Sequence, residues 1–179
     1  MLIQAERSLL LLIDIQEGVI NFIHHHEQLL ANCTELLMMA KAFNVPVLAS
    51  EHMPERMGHT IELLRQRMSP DNCFAKTEFS SLAAAYKPIK ASKRKQIILA
   101  GLETHLCVLQ TALELIDKKY QVYVVADATN SRFPEDKAIA LQRLQQCGVQ
   151  IISKQMLLFE WARDGKNPAY KALSKQLLK

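Results

Sequence analysis

Along the chain, short apolar runs alternate with longer stretches in which apolar residues recur every three or four positions. The first kind reads as buried strands and the second as helices packed against them. The strands expected are SLLLLIDI (8–15), VPVLAS (45–50), CFAKT (73–77), KQIILAG (95–101), QVYVVADA (121–128) and VQIIS (149–153). Helical spacing covers 27–43, 60–67, 80–90, 105–120, 133–148, 154–162 and 167–178. Pro134 falls in a first turn and Gly148 just past a helix end, as helix punctuation requires. Pro88 is expected to break the helix it sits in. The strand runs are continuously apolar rather than alternating, so both of their faces must be covered. Strand–helix alternation with such strands predicts a three-layer α/β/α, Rossmann-like fold. Its sheet would be mainly parallel and six-stranded, with helices on both faces.

The 179 residues fit one domain over 1–179, and an apolar fraction of 49% suffices for one buried core. Net charge is +4, much of it from KASKRK at 90–95. That run precedes a strand and has no aromatics interleaved, so it reads as a solvated loop and no nucleic-acid partner is expected. No apolar run reaches the roughly 18 residues of a membrane span, so no membrane partner is expected. The opening MLIQAERS lacks the pattern of a secretory signal. The four cysteines, at 33, 73, 107 and 147, show no paired spacing, which fits reduced thiols and a cytoplasmic protein.

Parallel α/β sheets carry their sites at the carboxyl ends of the strands. Those ends hold Asp14, then Ser50-Glu51-His52, Lys76, Gly101 with Cys107 six residues on, and Asp127. Asp14, Lys76 and Cys107 therefore point toward one rim. Each also has a plainer reading: a structural strand-end carboxylate, a solvated lysine and a core thiol. The chemical reading joins them. Cys107 lies near a helix start, where the dipole favours a thiolate. Lys76 adds positive charge and partners a buried Asp14, and Asp14 accepts the thiol proton. In this reading Cys107 alkylates fast at neutral pH, and more slowly after Asp14→Asn.

The stretches LLLIDIQEGV, FAKTEFS and LAGLETHLCVLQTALELIDKKYQVYVVADATNSR resemble the isochorismatase-like cysteine hydrolase family. That family includes nicotinamidases, N-carbamoylsarcosine amidohydrolase and isochorismatases. The stretch SEHMPERMGHTIELL is similar to the isochorismatase domain-containing subgroup, whose substrates are unsettled. The resemblance implies Asp14 as general base, Lys76 as charged helper and Cys107 as nucleophile. It also implies a cis peptide at Leu102–Glu103 and an oxyanion hole made by the N–H groups of Glu103 and Cys107. Thr104 would brace that turn or touch substrate.

Gln16, Phe22, His52, Phe79 and Thr104 are candidates for a substrate pocket, with backbone hydrogen bonding as the alternative for Gln16, and Phe74 and Trp161 are candidates for an apolar wall. Asp127 reads as a structural cap for ATNSR. The histidines 24–26 read as a solvated capping stretch, and no role is assigned to His59 or His105. Nicotinamidases carry an Asp-x-His metal motif where this chain has Ser50-Glu51-His52, so neither metal nor cofactor is expected. The expected function is hydrolysis of a small-molecule amide or related C–N bond through a thioester, in a homo-oligomer. The alternatives are isochorismatase-type vinyl-ether hydrolysis, or a non-catalytic or redox-sensing protein on the same fold.

Overall fold

A computed structural model describes residues 2–177. Six parallel strands form one sheet: β1 Ser8–Ile13, β2 Val47–His52, β3 Cys73–Lys76, β4 Gln96–Leu102, β5 Gln121–Asn130 and β6 Gln150–Ile152. Their spatial order is β3-β2-β1-β4-β5-β6, with every pairing parallel. The helices among the described residues are α1 Glu17–Ile20, α2 His26–Ala42, α3 Pro54–Met57, α4 Glu62–Arg65, α5 Leu82–Ala91, α6 Leu109–Asp117, α7 Pro134–Gln146, α8 Lys154–Ala162 and α9 Pro168–Leu177. The three-layer α/β/α reading holds.

β1 shows why the layers form. All six of its residues are buried. Leu10 and Leu12 face one core with Leu36 and Leu37 of α2 and Leu157, Leu158 and Trp161 of α8. Leu9, Leu11 and Ile13 face the other, with Leu82 and Ile89 of α5, Ala112 and Leu115 of α6, and Leu144 of α7. Period-two alternation along a strand, with both faces apolar, places helices on both sides. The chain order reverses between β1 and β4, so the crevice beyond their carboxyl ends is the switch point where such sheets bind ligands.

Several local expectations are corrected. The helix holding Pro88 runs through it to Ala91. Proline there lacks only its own N–H, so a single bond, to the Ala84 carbonyl, is forfeited while the helix continues. The expected helix at 105–120 opens as a π turn, Thr104–Val108, before α6. β5 extends past Asp127 to Asn130, and its register against β4 shifts between Leu99–Val124 and Gly101–Thr129. The extra residues fall on β5, and Thr129 Oγ1 donates to the Gly101 carbonyl at 2.8 Å. Asp127 accepts from the Lys154 N–H at the start of α8 instead of capping ATNSR. α1 and α3, each a single turn, lacked the length for a periodic signal. Leu178 of the expected last helix lies outside the described residues.

Candidate active site

Asp14 directly follows β1 with a left-handed backbone, φ 51°, a conformation that aspartate tolerates better than most residues. Its N–H donates to the Ser50 carbonyl at 3.1 Å, which carries the chain off the sheet and turns the carboxylate into the crevice. Gly101 of β4 passes so close to Ile13 that any Cβ would collide with the Ile13 carbonyl, and its φ is +123°. Glycine there lets β4 run against the end of β1. Beyond it the Leu102–Glu103 peptide is cis, and the π turn presents Cys107.

Three residues far apart in sequence meet in this crevice. Lys76 Nζ lies 2.7 Å from Asp14 Oδ2 and 3.7 Å from Cys107 Sγ. The Lys76 side chain is fully buried and that of Asp14 nearly so. The ammonium also donates to the carbonyls of Glu78 at 3.1 Å and Phe79 at 3.0 Å. Its three protons face four acceptors, Asp14, two carbonyls and the Cys107 sulfur, so the longest contact, to sulfur, is a shared one that also acts through charge. The same bonds fold the turn after β3 and bring Phe79 to the pocket.

The resting thiolate expected from sequence is reversed. Burial pushes the Cys107 thiol up to about 12, the nearby Asp14 carboxylate adds to this, and Lys76 opposes it only in part. The thiol also hydrogen-bonds to Asp14, which stabilises its protonated form. At rest, burial and the neighbouring carboxylate both favour the protonated thiol.

A cavity of about 300 Å³ opens over the sulfur, lined by Asp14, Phe22, His52, Phe79, Leu106, Cys107 and Arg132 among others. Phe22, His52 and Phe79 lie where the sequence suggested, and the rings of His52 and Phe79 stack at 5.6 Å. Gln16 and Thr104 follow the other reading given for each, as a backbone clamp and a brace of the turn. Gln16 is buried and clamps the backbone of His52, accepting from its N–H at 2.7 Å and donating to its carbonyl at 3.0 Å. Thr104 is buried against Thr129, hydroxyl to hydroxyl at 2.9 Å, and braces the π turn. Trp161 and Phe74 are core residues, with Trp161 Nε1 donating to Ser8 at the far end of β1.

Other residues had no sequence signal. Arg132 reaches the pocket rim and grips the buried Glu103 carboxylate, with Nη2 to Oε1 at 2.9 Å and its own N–H to Oε2 at 2.9 Å. Burial pushes the Glu103 carboxyl up, but these bonds outweigh it and hold the group below its ordinary value. Ser50, Ser81 and Thr111 form a buried polar chain behind Asp14. Each partner lies some 30 residues from the next, so local pattern carries no trace of the contact.

The other histidines fall elsewhere. His59 Nδ1 pairs with Glu51 at 3.0 Å, and Glu51 also takes the Thr60 N–H at 2.7 Å. Both oxygens of Glu51 are thereby used. His105 Nδ1 pairs with Ser131 Oγ at 2.9 Å. His24 and His25 line a separate cavity of about 500 Å³ that contains none of the three converging residues. Among the described residues, no group of three or more His, Cys, Asp or Glu converges so as to hold a metal ion. No helix among them is long and apolar enough to cross a membrane.

The isochorismatase domain model matches residues 8–156. The chain belongs to the isochorismatase family. It is 35% identical to isochorismatase domain-containing protein 2A of Mus musculus, over 97% of this chain and 84% of that protein. It is 34% identical to the secreted isochorismatase effector Isc1 of Phytophthora sojae, over 94% and 83%. Among solved structures, one described as the MAR1 ribonuclease of Caenorhabditis elegans matches with a TM-score of 0.93 and 27% identity, covering 100% of this chain and 93% of that one. The YcaC protein of Escherichia coli, described as an octameric hydrolase of unknown specificity, matches with a TM-score of 0.91 and 24% identity, over 97% and 89%. These likenesses give the chain the α/β/α fold of the isochorismatase-like hydrolases.

Proposed function

We propose that this protein is a cysteine hydrolase of a small amide or related C–N bond, with Cys107 as nucleophile, Asp14 as general base and then acid, and Lys76 as the charge that holds Asp14. The observation that carries this reading is the contact of one buried ammonium with both the carboxylate and the sulfur, 2.7 Å and 3.7 Å away.

Sulfur attacks the carbonyl carbon as its proton passes to Asp14. Negative charge moves to the carbonyl oxygen, which accepts from the N–H groups of Glu103 and Cys107. The flanking N–H groups of Leu106 and Val108 both donate to the Glu103 carbonyl, so they belong to the turn itself. Losing one such donor costs about 3 kcal/mol in other enzymes. The intermediate collapses, the C–N bond breaks, and Asp14 hands its proton to the departing amine. Water then attacks the thioester, giving one proton to Asp14, and Cys107 regains its thiol as the acid leaves. A thiol that is protonated at rest suits this order, because the proton leaves only as charge develops elsewhere.

The cavity volume of about 300 Å³ favours a small substrate. Val19, Phe22, Phe79, Leu102 and Leu106 make its walls largely apolar. Vinyl-ether hydrolysis protonates a carbon and has no use for a thiol, so the buried Asp14–Cys107 bond favours the thioester route. The C. elegans neighbour is described as a ribonuclease. In this chain the basic run at 90–95 precedes β4, at the end of the sheet opposite Cys107, so that run contributes no phosphate track to the pocket.

Ammonia release from a panel of small amides tests the reading. Activity that vanishes in Cys107→Ala and Asp14→Asn supports it, and activity that survives Cys107→Ala ends it. We also infer a homo-oligomer, consistent with exposed Phe133, Ile139 and Phe159; light scattering on the purified protein reads its mass.

A further inference from the structure

Behind Asp14 runs a directional chain of buried hydroxyls. Ser50 Oγ donates to Asp14 Oδ1 at 2.8 Å and lies 2.8 Å from Ser81 Oγ. A hydroxyl has one proton. Ser50 spends its own on Asp14, so in the second contact Ser81 is the donor. The N–H of Ser81 in turn donates to Thr111 Oγ1 at 2.8 Å, and Thr111 Oγ1 donates to the Cys107 carbonyl at 2.6 Å. The carboxylate and the backbone of the nucleophile are thus the two ends of one relay, through β2, the start of α5 and α6. Ser50, Ser81 and Thr111 are all buried.

We propose that Ser50 is a positioning residue of this site, with Ser81 fixing its direction. With Lys76 on Oδ2 and Ser50 on Oδ1, the Asp14 carboxylate cannot rotate, and its distance to Cys107 is set by the relay. The inference rests on the hydrolase reading above. The charged and titratable groups around Asp14 are Lys76 from β3 and Cys107 from the π turn. His52, Glu103 and Arg132 stand further along the pocket.

The test is acylation of the full chain by p-nitrophenyl acetate. Sulfur bonds to the acetyl carbon, the ester C–O bond breaks, p-nitrophenolate leaves, and the thiol proton goes through Asp14 to water. Its rate is followed at pH 7. Ser50→Ala is expected to slow acylation about tenfold or more, because the carboxylate can then turn away from sulfur. Ser50→Thr, which keeps the hydroxyl, restores most of the rate. The double variant Ser50→Ala/Ser81→Ala leaves no orphaned hydroxyl and guards against a folding defect; it should show the same loss, with urea unfolding measured alongside. A loss of packing alone would lower stability, and Ser50→Thr would not rescue the rate. An undiminished rate in both alanine variants overturns the role of Ser50 and leaves the hydrolase reading intact. Acylation that is unchanged in Cys107→Ala overturns the hydrolase reading, and this inference with it.

Discussion

Lys76 and Asp14 form an ion pair at 2.7 Å with both side chains out of water. Such a pair is tolerated because each charge satisfies the other, and it becomes a liability when either is removed. Lys76→Met is therefore expected to lower stability by about 3–5 kcal/mol, by leaving a buried carboxylate alone. Urea unfolding of the variant against wild type measures this. A loss below about 1 kcal/mol would mean that Asp14 finds water instead.

Asp14→Asn separates nucleophile reactivity from turnover. The Asp14 carboxylate repels a thiolate at Cys107, so neutralising it lowers the thiol from about 12 while Lys76 still attracts the anion. Alkylation of Cys107 by iodoacetamide at pH 8–9 should become faster, the reverse of what the sequence suggested. Hydrolysis should fall at least a hundredfold, since the general base is gone. Mass spectrometry of the labelled peptide reads the first, and ammonia release the second.

Gly101→Ala is expected to be severe. The added methyl meets the Ile13 carbonyl, and the backbone stands at φ +123°. Strain and collision together should cost about 3 kcal/mol or more, read as a drop in Tm. Activity should fall further than stability alone explains, because Ile13 precedes Asp14.

Alkaline pH should weaken the fold. Burial raises both Cys33 and Cys107 from an ordinary 9.0 to about 12. Between those values the unfolded chain loses protons that the folded chain keeps, so stability falls as pH rises from about 9 toward 12. Each thiol contributes a slope of up to about 1.4 kcal/mol per pH unit. Replacing Cys33 with alanine should flatten the slope of unfolding free energy between pH 9 and 11, whatever its cost at pH 7.

Releasing Glu103 should act in acid. Its carboxyl is held below the ordinary value of 4.5, so its contribution is present above that pH and lost as pH falls through the folded value. Arg132→Gln removes most of the cause. Because Arg132 is half exposed, the expected loss at pH 7 is only about 1–2 kcal/mol, and the acid unfolding midpoint should rise.

The α/β/α fold was legible along the chain because burial on both faces of a parallel strand demands continuous apolar residues, as in Leu9–Ile13. Asp14, Lys76 and Cys107 were legible as strand-end chemistry on the same grounds. What the sequence could not carry was protonation and partnership. The thiol's resting state follows from how much water the cleft excludes and from a carboxylate 93 residues away in the chain. For Gln16 and Thr104 the sequence left a pocket role and a bracing role open, and only packing chose the second by turning both inward. Ser50, Ser81 and Thr111 look like ordinary small polar residues until β2, α5 and α6 bring their hydroxyls within 3 Å of their partners. Periodicity is a local property of the chain and fixes the layers; desolvation and long-range hydrogen bonds exist only once those layers close, and they decide the site.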